Sequence, residues 1–261
     1  MPAGKTRAVA GLHDAVMSID RRSVTPSASE GGLPVRQGIT VSAPMRAAAW
    51  AGIAGQVALT MGWLIATVWQ DDKYDVARHD MSDMAAIGVP HAWFVQAYLG
   101  LAGASMIAFV WLALRPALAG VRGRTLTSIL LTITWGLGTL SDTFFRIDCR
   151  AADGCTAEQQ VRTWHATIHA STSLGLLVFA VTPYVVARCL RRSPSWARLA
   201  RPSVYFGIAI DVVLVAAVAI GQHWGTGYAQ RLLLTLGAAW TSLLAAWVLR
   251  LGSRRPVQGE E

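Results

Sequence analysis

The chain has 261 residues, 53% of them hydrophobic and only 15% charged, against about 25% charged in an ordinary soluble domain. The formal net charge of +8 raises nucleic-acid binding, but the basic residues punctuate long apolar blocks instead of forming one patch, so no nucleic-acid partner is expected. Three cysteines are too few for a disulfide-rich scaffold.

Residues 1–42 read as a cytoplasmic, mostly disordered tail with Pro2, Gly4, the run Ser23-Val24-Thr25-Pro26-Ser27 and then Gly31-Gly32. No 7–15-residue apolar core of a cleavable signal peptide occurs there. Val9, Leu12, Val16 and Ile19 recur at helical spacing beside Lys5, Arg7, Arg21 and Arg22, so lying on the inner leaflet is an alternative to disorder.

A bilayer-crossing helix needs roughly 20 mostly apolar residues. Six blocks qualify: Met45 to Trp69, His91 to Leu114, Arg124 to Phe145, Trp164 to Leu190, Ser203 to Gln222 and Ala229 to Leu251. They lack the period-2 alternation of barrel strands, so the expected fold is all-α, a six-helix transmembrane bundle over 43–252, followed by a cytoplasmic tail at 253–261. Small residues inside the spans, such as Gly52 and Gly55 or Gly136 and Gly138, favour close helix packing.

Basic residues orient the bundle. With the amino terminus inside, the inner loops hold Arg115, Arg122 and Arg124, then Arg188, Arg191, Arg192, Arg198 and Arg201, then Arg250, Arg254 and Arg255. The outer side keeps only Lys73, Arg78, Arg146, Arg150, Arg162 and Arg231. The positive-inside rule therefore predicts both termini in the cytoplasm of a multi-pass plasma-membrane protein with membrane lipids as its surroundings. Trp50, Trp69, Trp93, Trp111, Trp164, Trp224 and Trp247 fall near span ends, as interfacial anchors do. Trp63, Trp135 and Trp240 lie deeper, as packing or as a wall for a cation or an isoprenoid.

Costly polar groups gather at the outer end. The first outer loop carries Asp71, Asp72, Asp75, Asp80 and Asp83; His91 opens the second span and Gln96 lies just inside it. Asp142 and Arg146 close the third span in the favourable acid-first i,i+4 order, with Asp148 beyond. His165 and His169, also four apart, open the fourth. Two histidines at that spacing can share a divalent metal, but the Glu of a His-Glu-x-x-His protease motif is absent. The alternative is a hydrogen-bonded Asp–His–Arg cluster that ties helices together. Cys149 and Cys155 share an outer loop and should form a disulfide, while Cys189, at the inner side, should stay reduced. Asp211 falls ~12 Å along the fifth span from Ser203 by helical rise, where it must be protonated or paired, with Gln56 or Thr60 as candidates.

Three stretches, Ser82 to His91, Asp142 to Cys149 and Trp164-His165-Ala166-Thr167-Ile168-His169-Ala170, resemble domain-of-unknown-function family 998. Members are bacterial six-helix membrane proteins with a Ser-Asp-Leu-like loop, an Asp-rich end to the third helix and a His-rich start to the fourth. Here Ser82-Asp83-Met84 stands where Ser-Asp-Leu is frequent, and a single His165 where a pair is common. The resemblance covers roughly Ala47 to Leu251 and implies the fold and the location of a site, but no reaction.

The function expected from the residues is acid–base catalysis on a lipid or isoprenoid. Asp83, Asp142, Asp148, His165 and His169 are the catalytic candidates, and His91, Gln96, Arg146 and Trp135 the substrate-binding ones. A carboxyl group could protonate an olefin or epoxide as in a terpene cyclase, or His165 and His169 could serve a metal-assisted lipid hydrolase. A proton-coupled carrier using Asp211 and a structural or regulatory membrane protein without catalysis are the alternatives.

Overall fold

A computed structural model describes residues 40–220 and 225–253, apart from the side chains of Ser173 and Ile220. The expected tails at 1–42 and 253–261, and Trp224, lie almost wholly outside the described residues.

Ser42 starts the first helix, α1 (Ala43–Val68): its Oγ accepts from the Met45 amide at 3.5 Å, and Pro44 occupies the first turn, where no amide is needed. The second, α2 (Ala92–Phe109), runs on through a π-helical turn at Val110–Leu114 into Arg115–Ala117. The widened turn sits next to Pro116, which has no amide to donate. The third, α3 (Arg124–Leu131), is continued by a π-helical stretch, Thr132–Leu137, and a last turn, Gly138–Ser141. It stops short of Phe145, because the chain turns over 142–144 to enter an outer loop. Then come α4 (Trp164–Leu190), α5 (Ala200–Ile220) and α6 (Thr226–Gly252).

Among the described residues, five helices are long and apolar enough to cross a membrane: Ala43–Val68, Ala92–Ala117, Trp164–Leu190, Ala197–Ala219 and Thr226–Gly252. The Arg124–Ser141 rod is not one of them. It carries Thr125, Thr127, Ser128, Thr132, Thr134 and Thr139, whose hydroxyls dilute its hydropathy.

The helices close into a ring. α1 packs on α2 and α6, α2 on the α3 rod, that rod on α4, α4 on α5, and α5 on α6. Inside it Trp135 stacks on Phe179 with ring centroids 4.5 Å apart, and Phe179 meets Trp240 edge-on at 5.8 Å. A Cβ on Gly237 would run into the Trp135 ring, so α6 can approach the α3 rod only because that position is bare. Trp135 donates to Gln56 Oε1 at 2.9 Å and Trp240 to Ser203 Oγ at 3.1 Å, so these two of the three deep tryptophans pack and pair. The Trp63 ring instead faces the Arg231 guanidinium, 5.7 Å from its centroid, with its buried indole nitrogen unpartnered among the described residues. Trp50, Trp69, Trp93, Trp111 and Trp164 are exposed at helix ends, as anchors require. Trp247 differs: it is buried and donates to the Ser195 carbonyl at 3.0 Å, pinning the loop before α5.

The outward faces are apolar. Val68, Leu112, Leu174, Leu177, Val212, Val215 and Val218 are all exposed, a surface that water would not tolerate and lipid would. Asp211 pairs with neither Gln56 nor Thr60. Its Oδ2 accepts from Tyr184 Oη at 2.5 Å, an interhelical bond between α4 and α5.

Candidate functional site

The two loops at the outer end are built before the site between them. In the first, Tyr74 is buried and donates to the Asp80 carbonyl at 3.1 Å. Burial pushes its phenol up to about 12 against the nearby Arg231 charge. Arg231, on α6, is 3% exposed and reaches the carbonyls of Val76 and His79 at 3.1 and 3.0 Å, as well as Tyr74 Oη. Thr226 Oγ1 donates to the Arg78 carbonyl at 2.8 Å, so the start of α6 clamps residues 74–79.

The second loop is held by the Cys149–Cys155 disulfide, with Sγ atoms 2.13 Å apart. Arg150 beneath it bonds Asp71 Oδ2 at 2.7 Å and Asp153 Oδ2 at 2.8 Å, holding both carboxyls below the usual carboxylate range. Asp83 is buried under the same loop. It accepts from the Ala151 and Ala152 amides at 3.2 and 3.1 Å and from Gln160 Nε2 at 3.4 Å. Burial pushes its carboxyl up, and the two amides oppose that shift. Asp148 accepts from the Thr163 amide at 2.8 Å and its hydroxyl at 2.7 Å, and the hydroxyl bond chiefly lowers its pKa. Asp83 and Asp148 were expected in the site; both instead latch the loop that covers the bundle, and neither lines the cavities below it.

Asp142 and His169 do meet. His169 Nδ1 lies 3.0 Å from Asp142 Oδ1 and 3.1 Å from the Phe145 carbonyl. Both neighbours are acceptors, so Nδ1 carries the proton and Nε2 is the end free to exchange one. Thr172 Oγ1 stands 2.6 Å from the His169 carbonyl and 3.2 Å from Asp142 Oδ1, with one hydroxyl proton to give to either. The pair forms the common wall of two small cavities. One, of about 50 Å³, adds Ser82, Tyr98, Phe145 and Arg146; the other, of about 90 Å³, adds Thr134, Trp135, Thr172 and Leu176. Thr139, Gln230 and Leu234 line both.

The expected partners divide. Arg146 and Trp135 line one cavity each. Arg146 makes no ion pair with Asp142, which is engaged by His169, and none with any described carboxylate. His165, expected beside His169, is exposed and lies against Trp164, ring centroids 3.6 Å apart, because it falls one turn nearer the interface. His91 is exposed with its ring 5.5 Å from Trp69; at φ 61 it takes the left-handed turn that starts α2. Gln96 lines neither cavity, and only its carbonyl is used, accepting from Thr143 Oγ1 at 3.4 Å. Among the described residues no group of three or more His, Cys, Asp or Glu side chains is placed to hold a metal ion.

Four contributors were not foreseen. Gln230 Oε1 accepts from the Met81 amide at 2.5 Å and ties the first loop to the cavities. Tyr98 is buried at one wall with its hydroxyl unpartnered. Thr172 had no motif around it, and Arg231 counted only as one of the outer-side basic residues. A polar residue inside an otherwise apolar span was the available signal for Tyr98 and Thr172.

The apolar helices and lipid-compatible faces, with polar groups gathered at one end, define an integral membrane protein. A family model described as "Protein of unknown function (DUF998)" matches residues 53–247, and the chain belongs to that family. No curated protein and no solved structure matches it.

Proposed function

We propose that this is a six-span plasma-membrane protein, both termini cytoplasmic, that performs acid–base chemistry on a lipid or isoprenoid at the Asp142–His169 pair. Val41, just before α1, packs against Gly252 at the end of α6. Chain ends on one side of the bundle need an even number of crossings, which supports the Arg124–Ser141 rod as the sixth. The asymmetry of arginines supports the inside assignment.

The observation that carries the catalytic reading is the geometry at His169. A carboxylate and a carbonyl hold Nδ1–H, leaving Nε2 to take or give a proton at a mostly apolar cavity. Cavities of about 50 and 90 Å³ admit a reacting group and not a whole lipid, so the chain of the substrate would stay in the bilayer. Arg146, Tyr98 and Gln230 are suited to its polar group. Asp211, the residue that favoured a carrier, is occupied by Tyr184 and adds nothing to that reading.

The test compares lipid extracts of a deletion strain complemented with the wild type, Asp142→Asn or His169→Ala, with folded protein quantified in each membrane. Catalysis predicts a lipid difference that neither variant restores at wild-type folded levels. Restoration in proportion to folded protein would assign the pair a structural role.

A further inference from the structure

A large concave surface lies at the end opposite the Asp142–His169 pair, in the seam between α4 and α5. It is an open groove of about 630 Å³, within the ~300–1,000 Å³ range of small-molecule sites. Arg188 and Arg191 border it from the α4 side and Arg201 from α5. None of the three has an ion pair among the described residues. The two loops at this end, 115–123 and 191–199, contain no Asp or Glu. The floor is apolar and aromatic, and it is built firmly: Tyr184 lies against Gly207, with its hydroxyl bonded to Asp211 at 2.5 Å. Val204 and the exposed ring of Tyr205 continue it. Beyond, Ile208, Val212 and Val215 are exposed along α5, so an apolar track leads from the arginines toward mid-bundle.

We propose that this groove binds one anionic phospholipid, its phosphate on Arg188, Arg191 and Arg201 and an acyl chain laid along the α4–α5 seam. A phosphate with an attached chain matches both halves of the groove: three guanidiniums without an ion pair among the described residues at the rim, and apolar surface below them. A free phosphate would use only the rim. A solvated charge run, the plain reading of the arginines, has no use for the clamped aromatic floor.

The experiment titrates full-length protein in a neutral detergent with phosphatidylglycerol and reads bound lipid by native mass spectrometry. Phosphatidylcholine and inorganic phosphate are the comparison probes. Phosphatidylglycerol should bind as a discrete adduct, at least about tenfold more tightly than phosphatidylcholine. Replacing Arg188, Arg191 and Arg201 together by Gln should weaken it by a similar factor, whereas Arg198→Gln, at the same end but not lining the groove, should leave it unchanged. Val204→Trp fills the groove with every arginine in place and should also abolish the adduct. Equal binding by the triple variant or by Val204→Trp would overturn the proposal. So would equal loss in Arg198→Gln, which marks diffuse charge, or displacement of the lipid by inorganic phosphate, which marks a free-anion site.

Discussion

Arg150 shows how one buried cation can set the acid behaviour of a surface loop. Its side chain is 7% exposed, while its partners Asp71 and Asp153 stand largely in solvent with depressed pKa values. A carboxylate whose folded pKa is lowered contributes stability above its unfolded value, near ~3.9, and loses it as pH falls through the folded one. Asp83 works the other way: burial raises it, so its protonated form is the one the fold favours, and that contribution fades as pH rises above ~4. Protonation of Asp71 and Asp153 should therefore cost the Ala151 and Ala152 amides protection below about pH 4, against the opposing contribution of Asp83, measured by hydrogen exchange corrected for intrinsic rates. Arg150→Met should speed their exchange roughly tenfold at neutral pH and flatten the acid dependence. An unchanged acid profile in that variant would show that Asp71 and Asp153 do not report through Arg150. At this scale Asp142 and His169 were legible because each opens or closes an apolar block on the same side. His165 was misread because i,i+4 spacing also carries a residue about 6 Å along the axis, here up to the Trp164 ring. Gln230 and Arg231 were not legible, since nothing local says that the start of α6 reaches under the loop before α2.

Among the elements, the α3 rod is the least regular and bears most directly on the site. Its π-helical stretch, Thr132–Leu137, carries Trp135, and the last turn leads into Asp142. Gly237 on α6 is the counterpart that lets Trp135 sit flat on Phe179. Gly237→Ala should force that ring to move and cost about 1–3 kcal/mol by overpacking. Gly175→Ala, on α4 with open space around it, should be neutral or stabilising by up to ~1 kcal/mol, since a helical Gly gives up more chain entropy than Ala. Thermal unfolding of both variants in one detergent checks this, and equal shifts would remove the close-packing argument. The disulfide was readable from two cysteines in one short loop, and mass spectrometry without reductant should find Cys149 and Cys155 joined. The π-helical stretches were not readable: they arise where Pro116 and tight glycine contacts disturb a helix that composition alone leaves uniform.

For the whole molecule, helix order and ends follow from apolar run length, because a chain in lipid must satisfy its backbone internally. Ring closure does not follow, since no periodicity states that the first helix touches the last. A reporter fused after Glu261 should behave as cytoplasmic; an extracytoplasmic signal would sink the proposed orientation. The contact of Val41 with Gly252 carries a further meaning for the connectivity itself. The helices form a circle whose seam between α6 and α1 differs from the other five junctions only in lacking a covalent link. A short tether across that seam, with new ends cut in the 191–195 turn, would give a circular permutant with the same ring. The place where the chain starts is then a matter of biosynthetic order and not of architecture. Because α1 packs against α6, the ring cannot close around the Asp142–His169 pair until the last helix has entered the membrane.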